Sequence, residues 1–123
     1  MSTIPPSLPP VTRQLRRYQL TPETLDAFIR WWQDDLVPVR RAYGFDIPSA
    51  YVVRETAELI WLVAYPGDEA RFTEAERKYN AWPDRVASMS RQPVAPVSGT
   101  AAFVRDVVPP TAAVPACDTD ADL

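Results

Sequence analysis

The order of patterned segments along this chain predicts an α+β fold of the form β-α-β-β-α-β, a four-stranded antiparallel sheet with two helices on one face. Three observations lead there. A short alternating segment occupies residues 13–20, helical periodicity runs over 22–43 and again over 68–82, and between those helices lie two runs rich in Val, Ile, Tyr and Trp joined by a polar turn. At 123 residues the chain accommodates one domain and not two.

Residues 1–12 hold Pro5, Pro6, Pro9 and Pro10, a density that favours a flexible polyproline-like arm over paired structure. The first strand, Arg13 to Leu20, alternates: Leu15 and Arg17 point one way, Arg16, Tyr18 and Leu20 the other. Thr21-Pro22 then opens a helix, with Thr21 as N-cap and Pro22 at the first helical position, where a missing N–H costs nothing. Leu25, Phe28, Ile29, Trp32, Leu36, Val39 and Tyr43 form its apolar stripe, and Gly44 supplies the left-handed residue that ends it. Pro38 cannot donate to the Asp34 carbonyl and crowds it, so the helix is predicted to bend over residues 34–38.

Phe45 to Glu55 and Glu58 to Tyr65 form the hairpin, turning at Thr56 and Ala57, with Pro48 delaying the start of its first strand. Both faces of the second strand are apolar: Ile60, Leu62 and Ala64 on one, Leu59, Trp61, Val63 and Tyr65 on the other. Such a strand is covered on both sides. Pro66-Gly67 turns the chain, and Asp68 caps a second helix running to about Trp82, with Phe72, Ala75, Tyr79 and Trp82 on one side. Val86 and Met89 extend that helix in one reading; Gln92 to Gly99 is a proline-rich loop, and Thr100 to Val108 is the last strand, carrying Phe103 and Val104. The domain is thus expected over residues 13–108, followed by a disordered acidic tail, 109–123.

This order is the split βαβ, ferredoxin-like arrangement, which leaves one sheet face without helices. Phased with Tyr18, Leu20, Trp61, Val63 and Tyr65, that face is too apolar to meet water. Covering it with a second copy, sheet against sheet, gives a homodimer of the dimeric α/β-barrel type.

Several segments, taken together, resemble one family. They are Gln14-Leu15-Arg16-Arg17-Tyr18-Gln19-Leu20-Thr21-Pro22, then Phe28, Trp32, Leu36-Val37-Pro38-Val39-Arg40 and Tyr43-Gly44-Phe45, then Leu62-Val63-Ala64-Tyr65 after a short hairpin. In order and spacing, across about residues 13–85, this set is similar to the NIPSNAP family of dimeric α/β-barrel proteins. The resemblance implies the fold and the dimer. It does not specify an activity, because the wider superfamily includes monooxygenases, isomerases, cyclases and plain binders.

Composition narrows the function. The chain contains no histidine, which excludes Ser-His-Asp and Cys-His mechanisms, histidine-ligated haem and the common zinc sites. Cys117, the single cysteine, lies in the Pro/Ala/Asp-rich tail, where a held nucleophile is hard to maintain. Net charge is −3, and the acid is concentrated in the tail, so no basic patch for nucleic acid is expected. No apolar run is long enough to span a membrane, which points to a cytoplasmic protein. Glycine-rich phosphate loops and metal-ligand clusters are missing from the sequence, so no cofactor is expected.

The expected reaction site follows from the strand phasing. Arg16 and Tyr18 share the face assigned to the barrel interior, where a guanidinium among aromatics can hold a carboxylate or enolate oxygen and a phenol can donate to an oxyanion. Trp32, Tyr51, Trp61, Tyr65 and Arg40 are the expected substrate-binding residues, and Asp34 or Glu55 the expected base, since desolvation raises a carboxylate toward a useful range. The structural alternative pairs Arg16 with an acid such as Glu55 or Asp106 and makes the aromatics dimer core. One functional reading is a cofactor-independent enzyme acting on a hydrophobic small molecule by proton transfer, cyclisation or oxygenation in biosynthesis. The other is a non-catalytic binding or interaction module with a packed interior. A cavity of roughly 300 Å3 or more with convergent polar groups separates the two.

Overall fold

A computed structural model describes residues 10–108. Its elements are β1 (Val11–Gln19), α1 (Leu25–Trp31), a π-helical turn (Trp32–Leu36), α2 (Val37–Tyr43), β2 (Asp46–Val53), β3 (Glu58–Pro66), α3 (Glu69–Asn80), α4 (Pro83–Ser90) and β4 (Ser98–Val104). The antiparallel sheet has the order β2-β3-β1-β4, the ferredoxin-like arrangement that the segment order predicted. Residues 1–9 and 109–123, with most of the predicted arm and all of the predicted tail, lie outside the described residues.

Several boundaries move for identifiable reasons. β1 starts at Val11 rather than Arg13, and the Pro10 carbonyl just before it accepts from the Gly67 N–H at 2.7 Å. The first helix starts at Leu25 because residues 22–24 form a turn in which the Thr21 carbonyl accepts from both Thr24 and Leu25. At Pro38 the predicted bend takes the form of a π-helical turn: the Val37 N–H reaches back five residues to the Trp32 carbonyl, so the chain absorbs one extra residue just before the proline. Gly44, at φ 118°, ends α2 as expected. The β2–β3 register slips between Asp46 and Ser49, the stretch that contains Pro48.

The second helix is two helices. Trp82 is extended, at φ −70° and ψ 131°, because a residue preceding proline is pushed out of the helical region; Pro83 then starts α4. Three helical stretches therefore stand where two were expected. β4 begins at Ser98, and Gly99 packs closely on Tyr18: a Cβ would lie 3.1 Å from the ring, which would have to shift by a few tenths of an ångström.

The sheet faces are the reverse of the sequence phasing. Tyr18, Trp61, Val63 and Tyr65 lie beneath the helices, with ring centres 5.9 Å apart for Tyr18 and Phe28, 5.2 Å for Trp32 and Trp61, and 4.8 Å for Phe45 and Tyr65. Leu20 belongs to the same buried core. Strand periodicity separates two sets of residues but does not say which set faces the helices; here the bulkier aromatic set fills the gap between layers. The helix-free face carries Leu15, Arg17, Tyr51, Ile60, Leu62, Thr100 and Ala102, paired across four strands, and it is half-exposed and mixed in character.

Candidate functional site

A cavity of about 250 Å3 opens between β1 and the helices, lined by Arg16 and Tyr18 from the sheet, Phe28, Trp31, Leu36 and Arg40 from the first helical stretch, Tyr79 from α3, Arg85 and Met89 from α4, and Gln92 and Pro96 from the following loop. Its roof is attached by two contacts: the Trp31 indole N–H donates to the Ser88 carbonyl at 3.0 Å, and Arg91 grips the Asp35 carboxylate with bonds of 2.6 and 2.9 Å.

The polar centre is an Arg16–Glu76–Arg40 triad. Arg40 donates from both terminal nitrogens to Glu76, at 2.8 and 3.2 Å, and Arg16 reaches the same carboxylate at 3.0 Å. Arg40 is only 3 % exposed, and its guanidinium stacks 4.3 Å from the centre of the Tyr79 ring and 4.6 Å from that of Phe45. Burial disfavours the Glu76 carboxylate, but the two arginines outweigh it and hold its pKa below the ordinary range. Burial also works against the Arg16 charge; Glu76 and Tyr18 overcome this and raise its affinity for its proton. Tyr79 is raised, first by burial and only partly offset by Arg40 and Arg85, so it stands as a neutral phenol at pH 7.

Beside this triad are donors without acceptors. The Arg40 Nε, the Arg85 Nε, the Tyr79 hydroxyl and the Trp61 Nε1 are buried and make no hydrogen bond in the protein. Unpaired buried donors are costly and rare, and these lie behind the cavity surface, out of reach of a water molecule.

The sequence-derived residues divide. Arg16, Tyr18 and Arg40 line the cavity, and Trp61 lies behind them, 5.6 Å from each guanidinium. Trp32 packs on Trp61 but faces a separate depression with Val37 and Ile47. Asp34 and Glu55 are exposed, on the helix surface and in the hairpin turn, and neither lines the cavity; the acid beside it is Glu76. Tyr51 is 64 % exposed on the helix-free face, and Tyr65 sits against Phe45 away from the cavity. Arg16 pairs with Glu76 rather than with Glu55 or Asp106; Asp106 is the partner of Arg13.

Glu76, Trp31, Arg85, Met89 and Gln92 were not singled out. Glu76 had a legible signal: it stands at i+4 from Phe72 and three before Tyr79, a charge inside the apolar stripe of α3. Arg85 had none, because its place depends on the break at Pro83.

Among the described residues no group of three or more Cys, Asp or Glu is placed to hold a metal, and no helix is long and apolar enough to cross a membrane.

The chain is a two-layer ferredoxin-like domain with a partly enclosed, polar-centred cavity between sheet and helices. Solved structures share this fold at the level of the chain trace. An uncharacterised NIPSNAP domain protein from Burkholderia xenovorans superposes with a TM-score of 0.70 at 14 % identity, over 82 % of this chain and 99 % of its own. A NIPSNAP family protein from Agrobacterium tumefaciens gives 0.70 at 12 % identity, over 81 % and 98 %. A Bacteroides thetaiotaomicron protein, named provisionally as an antibiotic biosynthesis monooxygenase, gives 0.61 at 13 % identity, over 85 % and 96 %. No family model and no curated protein matches the sequence itself. The fold that the NIPSNAP resemblance implied is the fold observed.

Proposed function

We propose that this protein binds a small organic molecule with an apolar body and an oxygen-bearing head in the cavity beneath α4, with Arg16, Tyr18 and Arg85 as the polar contacts. One observation carries the reading: the guanidiniums of Arg16, Arg40 and Arg85 line one cavity beside Phe28, Trp31, Leu36 and Met89, and a single carboxylate, that of Glu76, pairs with them among the described residues. If chemistry follows, it proceeds by stabilising a developing oxyanion, since arginines and a neutral tyrosine supply charge and protons. Within that limit, cofactor-independent proton transfer, cyclisation or oxygenation in biosynthesis all fit.

A non-catalytic binder is favoured by a specific feature. Glu76, the acid next to the cavity, is committed to two arginines and is a poor base, while Asp34 and Glu55 lie outside. The half-exposed, mixed face that carries Leu15, Ile60 and Leu62 is the surface a second copy would cover, sheet to sheet, in a homodimer. The binding reading is tested by backbone and indole NMR shifts during a screen of aromatic alcohols, ketones and acids. Shifts should gather on Trp31, Tyr79 and residues 85–92; shifts scattered over the surface, or none, reject the cavity as a site.

A further inference from the structure

We infer that the ligand of this cavity is a one- or two-ring aromatic carboxylate, its charged head held by the Arg85 guanidinium. The inference rests on the reading of the cavity as a small-molecule site and adds the class of molecule.

Charge is the first argument. Three guanidiniums, of Arg16, Arg40 and Arg85, line the cavity, and Glu76 is the one carboxylate paired with any of them. Arg16 and Arg40 share that single negative charge, while Arg85 forms no ion pair among the described residues. The uncompensated positive charge favours an anion over a neutral ketone or amide, because charge-assisted hydrogen bonds are about twice as strong as neutral ones.

Donor geometry is the second. The Arg85 guanidinium carbon lies 5.9 Å from the centre of the Tyr79 ring at the cavity wall, and its terminal nitrogens make no hydrogen bond or ion pair among the described residues. Arg85 is only half-buried, so an incoming acceptor can reach those nitrogens. A carboxylate can accept two parallel bonds from one guanidinium, a fork that a single hydroxyl or carbonyl oxygen does not match.

Shape is the third. Phe28, Trp31, Leu36 and Met89 make the remaining wall apolar and aromatic, suited to a flat ring. The volume of about 250 Å3 is below the range that holds drug-sized ligands, roughly 300 to 1,000 Å3, and excludes a four-ring polycycle.

Calorimetric titration of the full chain with 2-naphthoate, its neutral isostere 2-naphthamide, 2-naphthyl phosphate and pyrene-1-carboxylate tests each part. Naphthoate should bind on the order of tenfold more tightly than naphthamide at pH 7, as charge-assisted bonding to the guanidinium requires. That preference should collapse in Arg85→Gln and persist in Tyr79→Phe, whose hydroxyl lies behind the cavity surface; both variants leave the Glu76 triad in place, and the pyrene acid should not bind. Equal affinity for acid and amide overturns the carboxylate while leaving the cavity as a binding site. Tighter binding of the phosphate does the same. Binding of neither acid nor amide overturns both readings, and a preference undiminished in Arg85→Gln places the anion elsewhere and overturns the assignment. Tight binding of the pyrene acid overturns the size limit.

Discussion

Arg40 presents its two terminal nitrogens to Glu76, at 2.8 and 3.2 Å, while the carbon of the same guanidinium lies 4.3 Å from the centre of the Tyr79 ring. One side chain thus joins α2 to α3 by charge and by stacking, in a place where water does not reach it.

The two ends of this pair are not equivalent, and stability measurements should reveal it. Glu76→Gln leaves the buried Arg40 charge uncompensated, which costs about 3 kcal/mol for a buried pair that loses one partner. Arg40→Met removes the buried charge itself, retains an apolar stem against Tyr79 and leaves Glu76 with Arg16, so its cost should be smaller. Urea unfolding of both variants gives the comparison; a larger loss in Arg40→Met contradicts this account of the triad.

Acid unfolding should report the same carboxylate. The folded-state pKa of Glu76 is depressed below its ordinary 4.5, so its contribution is complete above about pH 4.5 and is lost as pH falls through the lower folded value. The wild-type protein should lose stability steeply in that acid window, and Glu76→Gln should show a shallower slope there. Identical slopes would mean that Glu76 is not held ionised by the arginines.

The element order was legible because each element carried a local signal: alternation in β1, Gly44 after the first helical stretch, Asp68 before α3, whose carboxylate accepts from the Arg71 N–H at 2.9 Å. The orientation of the sheet was not, since Trp61 and Leu62 are both apolar and a period of two cannot tell which one faces the helices. Site residues divided along the same line. Arg16 and Arg40 interrupt apolar patterns in their own elements, as does Glu76, whereas Arg85 and Met89 reach the cavity only through the reversal at Trp82-Pro83. Asp34 stands beside the Pro38 defect, and Glu55 at the end of a strand, but neither position fixes which way the carboxylate faces, and both lie on the surface.

Trp31→Phe tests how the cavity roof is attached. The substitution retains most of the ring but deletes the buried bond from the indole N–H to the Ser88 carbonyl, worth about 1 kcal/mol net. Because Ser88 belongs to α4, the loss should be local: amide exchange should accelerate across residues 85–92 and stay unchanged in β1 and β3. Uniform acceleration across the domain would instead make Trp31 an element of the general core.

Tyr79→Phe separates stability from function. The hydroxyl is buried without a hydrogen-bond partner in the protein, so its removal relieves a desolvated polar group and retains the ring that packs on Phe45 and Arg40. The variant should be as stable as the wild type or more stable, by up to about 1 kcal/mol. The hydroxyl lies behind the cavity surface, so the same variant should bind the cavity ligand as tightly as the wild type. Thermal unfolding with and without the bound aromatic acid measures both: the free variant should melt no lower than the wild type, and its gain on adding ligand should be the same. A clear drop in the free variant's melting temperature would show that the hydroxyl already has a partner inside the fold.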